Sequence, residues 1–293
     1  MGESRIDTSQ SASVPPHPVR TAIAQGAART GMGFDFLLAQ ARVESGLNPA
    51  ARAGTSSASG LFQFIESTWL ATVHKHGPAH GLGALSEAIV PGPGGLRVAD
   101  PAMRQHILGL RHDPAMASLM AGALAQENRA ALMPVLGREP DAGELYLAHF
   151  LGSGGAGKFL SALQANPEQS AAALFPKPAA ANRAIFFERG GDARSLSEVM
   201  DLMRGKMTRA MDAPGGEAPA AIASTSPTAQ FAAPAPYRAA HGQFAQVAGR
   251  HPASAGALRP ISDLLQNSMT AAPGTAAGDH VRRAYVRLRS MGL

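Results

Sequence analysis

Apolar residues recur at helical spacing over most of residues 18–210, and this pattern limits the possible folds more than any other feature of the sequence. Near its end, for example, four apolar residues share one helix face: Leu196, Val199, Met200 and Met203. No convincing strand pattern of alternating apolar and polar residues occurs in the region, and no internal repeat. The sequence therefore predicts an all-α fold over residues 17–210, with loops between the helices.

The segments that flank this region differ from it in composition. Residues 1–16 are polar and Pro-rich, and residues 211–258 are nearly uncharged and rich in Ala, Pro, Ser and Gly. Such segments bury too little apolar surface to fold, so we predict a disordered arm and a flexible linker. Residues 259–293 end in the basic amphipathic pattern DHVRRAYVRLRSMGL. A terminal helix resting on the domain and an anchor for a membrane or partner protein both remain open for this tail.

Composition and patterning exclude several kinds of site and partner. The chain has no Cys, so disulfides and thiolate chemistry are excluded. Its net charge of +5 favours anionic surfaces, but it has no zinc-finger pattern and no dense basic run with interleaved aromatics, so no nucleic-acid partner is predicted. It also lacks an apolar run of about 18 residues and a recognisable secretory signal. We expect a monomer without a transmembrane segment.

The histidines His74, His76 and His80 are the sequence's best candidates for metal ligands. The first two lie two residues apart, on different sides of a helix, and no carboxylate is close to them in sequence. Surface histidines are the better interpretation, so neither a metal nor another cofactor is predicted.

Glu44 is the strongest candidate for a catalytic group. Leu37, Ala41 and Glu44 fall at i, i+4 and i+7, which puts the carboxylate on the apolar face of a helix. Burial disfavours the charged form of a carboxylate, and an acid that keeps its proton near neutral pH is suited to general acid catalysis. A polar residue turned to solvent at a helix end would show the same spacing, so periodicity alone leaves both interpretations open.

Two further segments carry groups that could orient a substrate near Glu44. Gly60-Leu61-Phe62-Gln63 combines a glycine, which permits close approach of the backbone, with a side-chain amide that both donates and accepts. Tyr146, within ELYLAHFLGSGG, places a phenolic hydroxyl on a helix ahead of a glycine-rich stretch. Together with Glu44-Ser45, these segments could hold a polar polymer beside a buried acid.

These three segments resemble the motifs of the family-1 soluble lytic transglycosylases, which carry Glu-Ser, then Gly-Leu-Met-Gln, then Ala-Tyr-Asn. Glu44-Ser45 is identical to the first motif, and Gly60–Gln63 differs from the second by Phe in place of Met. Only Tyr146 matches the third motif, because Leu145 and Leu147 replace its neighbours. The resemblance covers roughly residues 18–165.

The resemblance implies a goose-type lysozyme-like (SLT) catalytic domain that cleaves the β-1,4 bond between N-acetylmuramic acid and N-acetylglucosamine in peptidoglycan. Glu44 would act as general acid and then as base on the muramoyl 6-hydroxyl, so that a 1,6-anhydro end forms. Such a lyase needs one carboxylate where most glycosidases use two. The residues that would bind or orient the substrate or Glu44 are Ser45, Gly60, Phe62, Gln63 and Tyr146. The substrate implies the periplasm or cell envelope, by an export route that the sequence does not display.

Two other functions remain open. A hydrolytic muramidase would attack the same bond with water and would need a second carboxylate. Glu66 opens a helix, Asp100 begins a helix or turn, and Glu144 lies two residues from Tyr146 and off its face, so none is a strong partner. A non-catalytic wall-binding or assembly protein is the other possibility, with the basic tail recruiting a secretion or envelope-complex partner.

Overall fold

A computed structural model describes residues 17–54 and 56–214 of the chain. The helices are α1 (Pro18–Thr30), α2 (Phe34–Ser45), α3 (Glu66–His76), α4 (Gly83–Glu87), α5 (Pro101–Gly109), α6 (Pro114–Leu136), α7 (Ala142–Ala165), α8 (Ala171–Leu174), α9 (Pro176–Ala181), α10 (Arg183–Phe186) and α11 (Leu196–Met211). Short 3-10 turns occur at Pro78–His80 and Leu110–His112. Strands β1 (Ile89–Gly92) and β2 (Gly95–Val98) form an antiparallel hairpin.

The prediction of a predominantly helical domain is confirmed, with the β1–β2 hairpin as the exception. The hairpin pairs Ile89 with Val98 and Gly92 with Gly95, so it reverses at Pro93 and Gly94, and the positive φ of 87° at Gly94 suits a tight turn. Strands this short carry too little alternation to stand out in the sequence. The predicted arm at 1–16, the tail at 259–293 and the linker beyond residue 214 lie outside the described residues.

The glycines at 152–157 predict a loop between a helix that ends at Leu151 and another that begins at Lys158, and this loop is longer than the structure shows. Only Gly152 leaves the helical region, with φ 73° and ψ 160°, so α7 consists of two helical segments joined at a kink there, and residues 153–157 belong to the second segment. The sequence also predicts a turn at Pro134–Gly137, but α6 runs to Leu136 with Pro134 inside its last turn.

The long helices begin at strong capping residues. Asp113 accepts hydrogen bonds from two backbone N–H groups at the start of α6. Asp141 and Glu144 form a capping box on α7, and Ser195 and Glu198 form one on α11. Each box satisfies two backbone donors that a helix end otherwise leaves unpaired. These caps fix where the chain enters α7 and α11, the helices that surround the candidate site.

Helices α1, α2, α6, α7 and α11 pack on one another around the main core. Helix α2 contacts α1, α6 and α11, while α7 contacts α6 and α11, so the C-terminal end of α2 is enclosed by packed helices. The predicted apolar face of α11 is buried in this core. Within the described residues, no helix is both long enough and apolar enough to cross a bilayer.

Candidate active site

Glu44 lies in the last turn of α2, on the buried side of the helix, as the apolar spacing predicts. Its side chain has no surface exposed to water. Helix α2 ends directly afterwards at Gly46, which adopts the left-handed conformation with φ 60°. The amide of Gly46 donates back to α2, so the chain leaves the helix at a defined point. The carboxylate is therefore held inside the protein, one residue from the end of its helix.

Tyr146 of α7 donates a hydrogen bond from its hydroxyl to Glu44 Oε1, at 3.1 Å. The tyrosine is itself fully buried. Burial raises the pKa of Tyr146 well above its ordinary value, and the neighbouring Glu44 raises it further. The phenol therefore stays protonated and acts as a permanent donor to Glu44. The structure thus brings together the first and third segments singled out in the sequence.

His149, which the sequence analysis missed, lies beside the same oxygen. Its Nε2 is 3.5 Å from Glu44 Oε1, and its ring stacks on that of Tyr146 with an interplanar angle of 16°. The His149 side chain is 14 % exposed, whereas that of Glu44 has no exposed surface, so His149 lies between the carboxyl group and the solvent. The sequence could have indicated His149 through its position three residues after Tyr146, because residues at i and i+3 are neighbours on a helix surface.

Lys206 of α11 is a second charged group near Glu44 that sequence reasoning missed. Burial lowers the pKa of Lys206, and the nearby charge of Glu44 acts in the opposite direction. Helix α11 is fixed against α2 because Arg42 Nη1 donates to the carbonyl of Ala210 at 2.7 Å. No local pattern could have indicated this neighbour, because Lys206 meets Glu44 only through the packing of α11 on α2.

Glu44 Oε2, in contrast to Oε1, has no hydrogen-bond partner among the described residues. Leaving a buried polar atom unpaired costs about 1–3 kcal/mol, and more when the group is charged. Such atoms are rare in folded proteins, and a role in ligand binding or catalysis is one of the accepted explanations. The two oxygens of Glu44 therefore differ: one is held by the protein and the other is free to contact a ligand.

Ser45 connects α2 to the second segment rather than facing Glu44. Its Oγ donates to the carbonyls of Ala41, at 3.1 Å, and Leu61, at 2.7 Å. The second bond crosses from the helix to the loop that follows it, so Ser45 fixes the position of the loop relative to Glu44.

Gly60 is required where the loop meets the 3-10 turn before α6. Its φ is 83°, and a Cβ atom there would lie 1.8 Å from the carbonyl oxygen of Arg111. Its amide donates to the carbonyl of Ala51 at 2.8 Å. Both the backbone conformation and the close contact exclude a side chain. Phe62, two residues on, is fully buried in the core and has no exposed surface to offer a ligand.

Gln63 holds the loop closed with its side-chain amide. Its Nε2 donates to the carbonyls of Gly60, at 2.8 Å, and Ala51, at 3.3 Å. The residue has a φ of 47°, a conformation that costs a non-glycine residue energy and is concentrated at functional sites. Its Oε1 is buried and has no partner among the described residues. Gln63 thus presents a second unpaired acceptor, but none of its hydrogen bonds goes to Glu44.

The carboxylates weighed as partners for Glu44 are engaged elsewhere. Glu66 forms an ion pair with Arg104. Glu144 accepts from Arg138 at 2.7 Å and from Arg204 at 3.3 Å. Burial raises the pKa of Glu144, but the hydrogen bonds from Arg138 and the Asp141 amide and the charges of Arg138 and Arg204 together outweigh it, so the pKa lies below the ordinary value. Within residues 17–54 and 56–214, no second carboxylate forms a contact with Glu44.

The histidine cluster is tied to structural partners. His76 Nε2 lies 2.6 Å from Oε2 of Glu127, and His74 Nδ1 lies 3.2 Å from the carbonyl of Ser86. Burial lowers the pKa of His80, and the charges of Arg29 and His76 lower it further. The described part of the chain contains no group of three or more His, Asp or Glu side chains that could hold a metal ion.

At this buried site the Glu44 carboxyl group can carry a proton, the Tyr146 hydroxyl is a fixed donor to its Oε1, and its Oε2 is unpaired among the described residues. A carboxyl group held in this way can give a proton to a bound oxygen atom and later take one back. The resemblance to the lytic transglycosylases stays a prediction from three short motifs. No protein-family model matches this chain.

Proposed function

We propose that the protein is a peptidoglycan lytic transglycosylase with a goose-type lysozyme-like catalytic domain, in which Glu44 is the catalytic residue. The observation that carries the proposal is the asymmetry of this buried carboxylate. Oε1 accepts the Tyr146 hydroxyl, whereas Oε2 has no partner among the described residues. The motif resemblance supports the same assignment independently, because it selected Glu44 and Tyr146 from sequence alone.

The reaction uses Glu44 twice. In the glycan complex Glu44 carries a proton at Oε2. It gives this proton to the glycosidic oxygen, and the bond from that oxygen to C1 of N-acetylmuramic acid breaks. The leaving N-acetylglucosamine departs with a free 4-hydroxyl, and positive charge develops at C1. The ionised Glu44 then takes the proton of the muramoyl 6-hydroxyl while the bond from O6 to C1 forms. The products are a 1,6-anhydro end and a Glu44 that is protonated again.

The groups around Oε1 support the ionised stage of this cycle. A hydrogen bond from Tyr146 stabilises the carboxylate after the proton leaves, since bonds to charged acceptors are about twice as strong as neutral ones. His149 lies near the same oxygen, and the charge of Lys206 acts on the group from α11. The carboxylates weighed as partners for Glu44 are paired with arginines instead, Glu66 with Arg104 and Glu144 with Arg138, which favours the muramoyl hydroxyl over water as nucleophile.

Substrate must reach a carboxyl group that has no exposed surface in this structure. The proposal therefore requires side chains to move when glycan binds. His149 is the partly exposed group next to Glu44, so we assign it to the boundary between the carboxyl group and the glycan. The unpaired Oε1 of Gln63 offers an acceptor suited to the N–H of an acetamido group.

Digestion of purified peptidoglycan by the wild-type protein and by Glu44→Gln tests the assignment. We expect Glu44→Gln to lose activity by about 10²–10⁴-fold, because the amide cannot transfer the proton. Glu87→Gln is the matched control, since Glu87 is exposed and forms no ion pair among the described residues. Full activity in Glu44→Gln would refute the proposed mechanism.

Mass spectrometry of the released muropeptides identifies the nucleophile. Anhydro ends are lighter by one water than the reducing ends that hydrolysis leaves. Reducing ends would assign the protein as a hydrolytic muramidase. Glycan binding without any cleavage by the wild-type protein would assign it as a non-catalytic wall-binding or assembly protein.

A further inference from the structure

A pocket of about 500 Å³ opens between the loop that follows α2 and helix α5, and its lining is cationic. The charged and ionisable side chains around it are Arg52, Arg104, Arg111 and His112, and none of its lining residues is acidic. The volume lies in the range typical of small-ligand sites. We propose that this pocket binds the carboxylate groups of peptidoglycan peptide stems, an inference that rests on the proposed function.

The pocket carries an excess of positive charge that the described residues do not neutralise. Glu66 pairs with Arg104, which leaves one carboxylate against three guanidinium groups. Burial lowers the pKa of Arg111, Glu66 opposes this effect, and the charges of Arg52 and Arg104 lower it further. Like charges held this close repel one another, and an anionic ligand would relieve that repulsion.

Several nitrogen atoms around the pocket have no protein partner among the described residues. The Arg52 guanidinium forms no hydrogen bond or ion pair there, and Arg104 uses only Nη2, for Glu66. Arg111 uses Nε and Nη1 for backbone carbonyls, which leaves Nη2. His112 directs Nδ1 to the carbonyl of Pro49 at 3.0 Å, which leaves Nε2. The pocket therefore combines excess charge with groups that can still bind a ligand.

The pocket shares a wall with the loop of the candidate active site. Arg111 Nη1 donates to the carbonyls of Ser57, at 2.6 Å, and Phe64, at 3.0 Å, and so spans the loop that carries Gln63. The backbone of Arg111 also packs directly on Gly60. A ligand in the pocket would thus contact Arg111, which is bonded to the loop that Ser45 fixes against α2.

The anionic groups of peptidoglycan that could bind this pocket lie on the peptide stem and not on the sugars. In peptidoglycan the lactyl carboxyl of muramic acid is joined to the stem as an amide, so the glycan backbone carries no charge there. The free carboxylates belong to the stem peptides. Arginine is suited to them because its planar guanidinium can bind a carboxylate through two parallel hydrogen bonds.

Titration with a synthetic stem pentapeptide, followed by NMR or calorimetry on the full chain, tests the proposal. We expect Arg52→Gln to weaken binding about tenfold, as expected for loss of one charge-assisted contact. Arg52 is exposed and has no described partner, so the substitution leaves the fold intact. Arg189→Gln, at an exposed arginine outside the pocket, is the matched control and should bind like the wild type.

Peptide binding is measured without cleavage of glycan, so the titration tests the pocket separately from the catalytic role of Glu44. Equal affinity of the peptide for the wild type and Arg52→Gln would overturn the proposal and leave the role of Glu44 untouched. Inorganic phosphate that competes at the affinity of the peptide would show a general anion site and also overturn it. A third outcome is a protein that cleaves no glycan but binds the peptide, with weaker binding in Arg52→Gln. That result would support the pocket as a stem-binding site and refute the transglycosylase assignment.

Discussion

Removal of the Tyr146 hydroxyl is the most direct test of whether its hydrogen bond stabilises the ionised form of Glu44. Tyr146→Phe keeps the buried ring and its stacking on His149, and deletes only the donor that lies 3.1 Å from Glu44 Oε1. A hydrogen bond to a charged acceptor contributes about 1.5–3 kcal/mol. We therefore expect the free energy of unfolding to fall by about that amount, which for a domain of this size lowers Tm by roughly 3–12 °C.

The same substitution should slow peptidoglycan cleavage. If the hydroxyl stabilises the ionised Glu44 that forms when the proton leaves, its loss raises the barrier by about 1.5–3 kcal/mol, or roughly 10- to 100-fold in rate. Initial rates on purified peptidoglycan measure this loss. Circular dichroism at the assay temperature separates slower chemistry from unfolding.

A double-mutant cycle with Glu44→Gln decides whether the two side chains act together. In the Glu44→Gln background the hydrogen bond joins two neutral groups, so Tyr146→Phe should cost only about 0.5–1.5 kcal/mol of unfolding free energy. The difference between the two costs is the coupling of the pair. An identical cost in both backgrounds would refute the conclusion that the hydroxyl acts on the charge of Glu44.

Three further predictions test the surroundings of the site. His149→Gln should lower kcat on peptidoglycan with little change in Tm, because the side chain lies partly exposed beside the carboxyl group; unchanged kcat would exclude a role in turnover. Gly60→Ala should reduce the free energy of unfolding by about 2 kcal/mol or more, since φ is 83° and its Cβ would overlap a carbonyl, whereas Gly54→Ala, with open space around it, should change little in a thermal melt. Glu144→Gln should cost about 1–3 kcal/mol at pH 7 through its bonds to Arg138. Because the pKa of Glu144 lies below its ordinary value of 4.5, this contribution is present above that pH and is lost as pH falls through the lowered pKa, so the two proteins should converge in acid denaturation.

Local patterns in the sequence contained enough information to predict the long helices and to place Glu44 on the apolar face of one of them. The spacing of Leu37, Ala41 and Glu44 depends only on the geometry of one helix, and α2 forms as that spacing indicates. The β1–β2 hairpin escaped prediction because its strands have four residues each, too few for a period of two to emerge. The glycines of α7 correctly indicated a break after Leu151, but only Gly152 departs from helical geometry, and the helix resumes directly after it instead of at Lys158.

The composition of the site was harder to predict, because it depends on contacts between distant segments. His149 could have been inferred from its spacing to Tyr146, once Tyr146 was known to face Glu44. Lys206 could not, since the packing of α11 on α2 is a property of the whole core. Ser45 was expected to bind or orient the substrate or Glu44, whereas its hydroxyl donates to backbone carbonyls of the helix and the loop.

Comparison of two buried carboxylates within this chain gives the strongest reason to treat Glu44 as functional. Glu144 has both oxygens satisfied: Arg138 binds each of them, Arg204 binds one, and the amide of Asp141 binds the other. This is how a protein stabilises a buried charge whose role is structural. Glu44 is buried as deeply, yet Oε2 has no described partner. The fold could satisfy a carboxylate fully and leaves this one half satisfied, which is the state that a proton donor needs in order to reach its substrate.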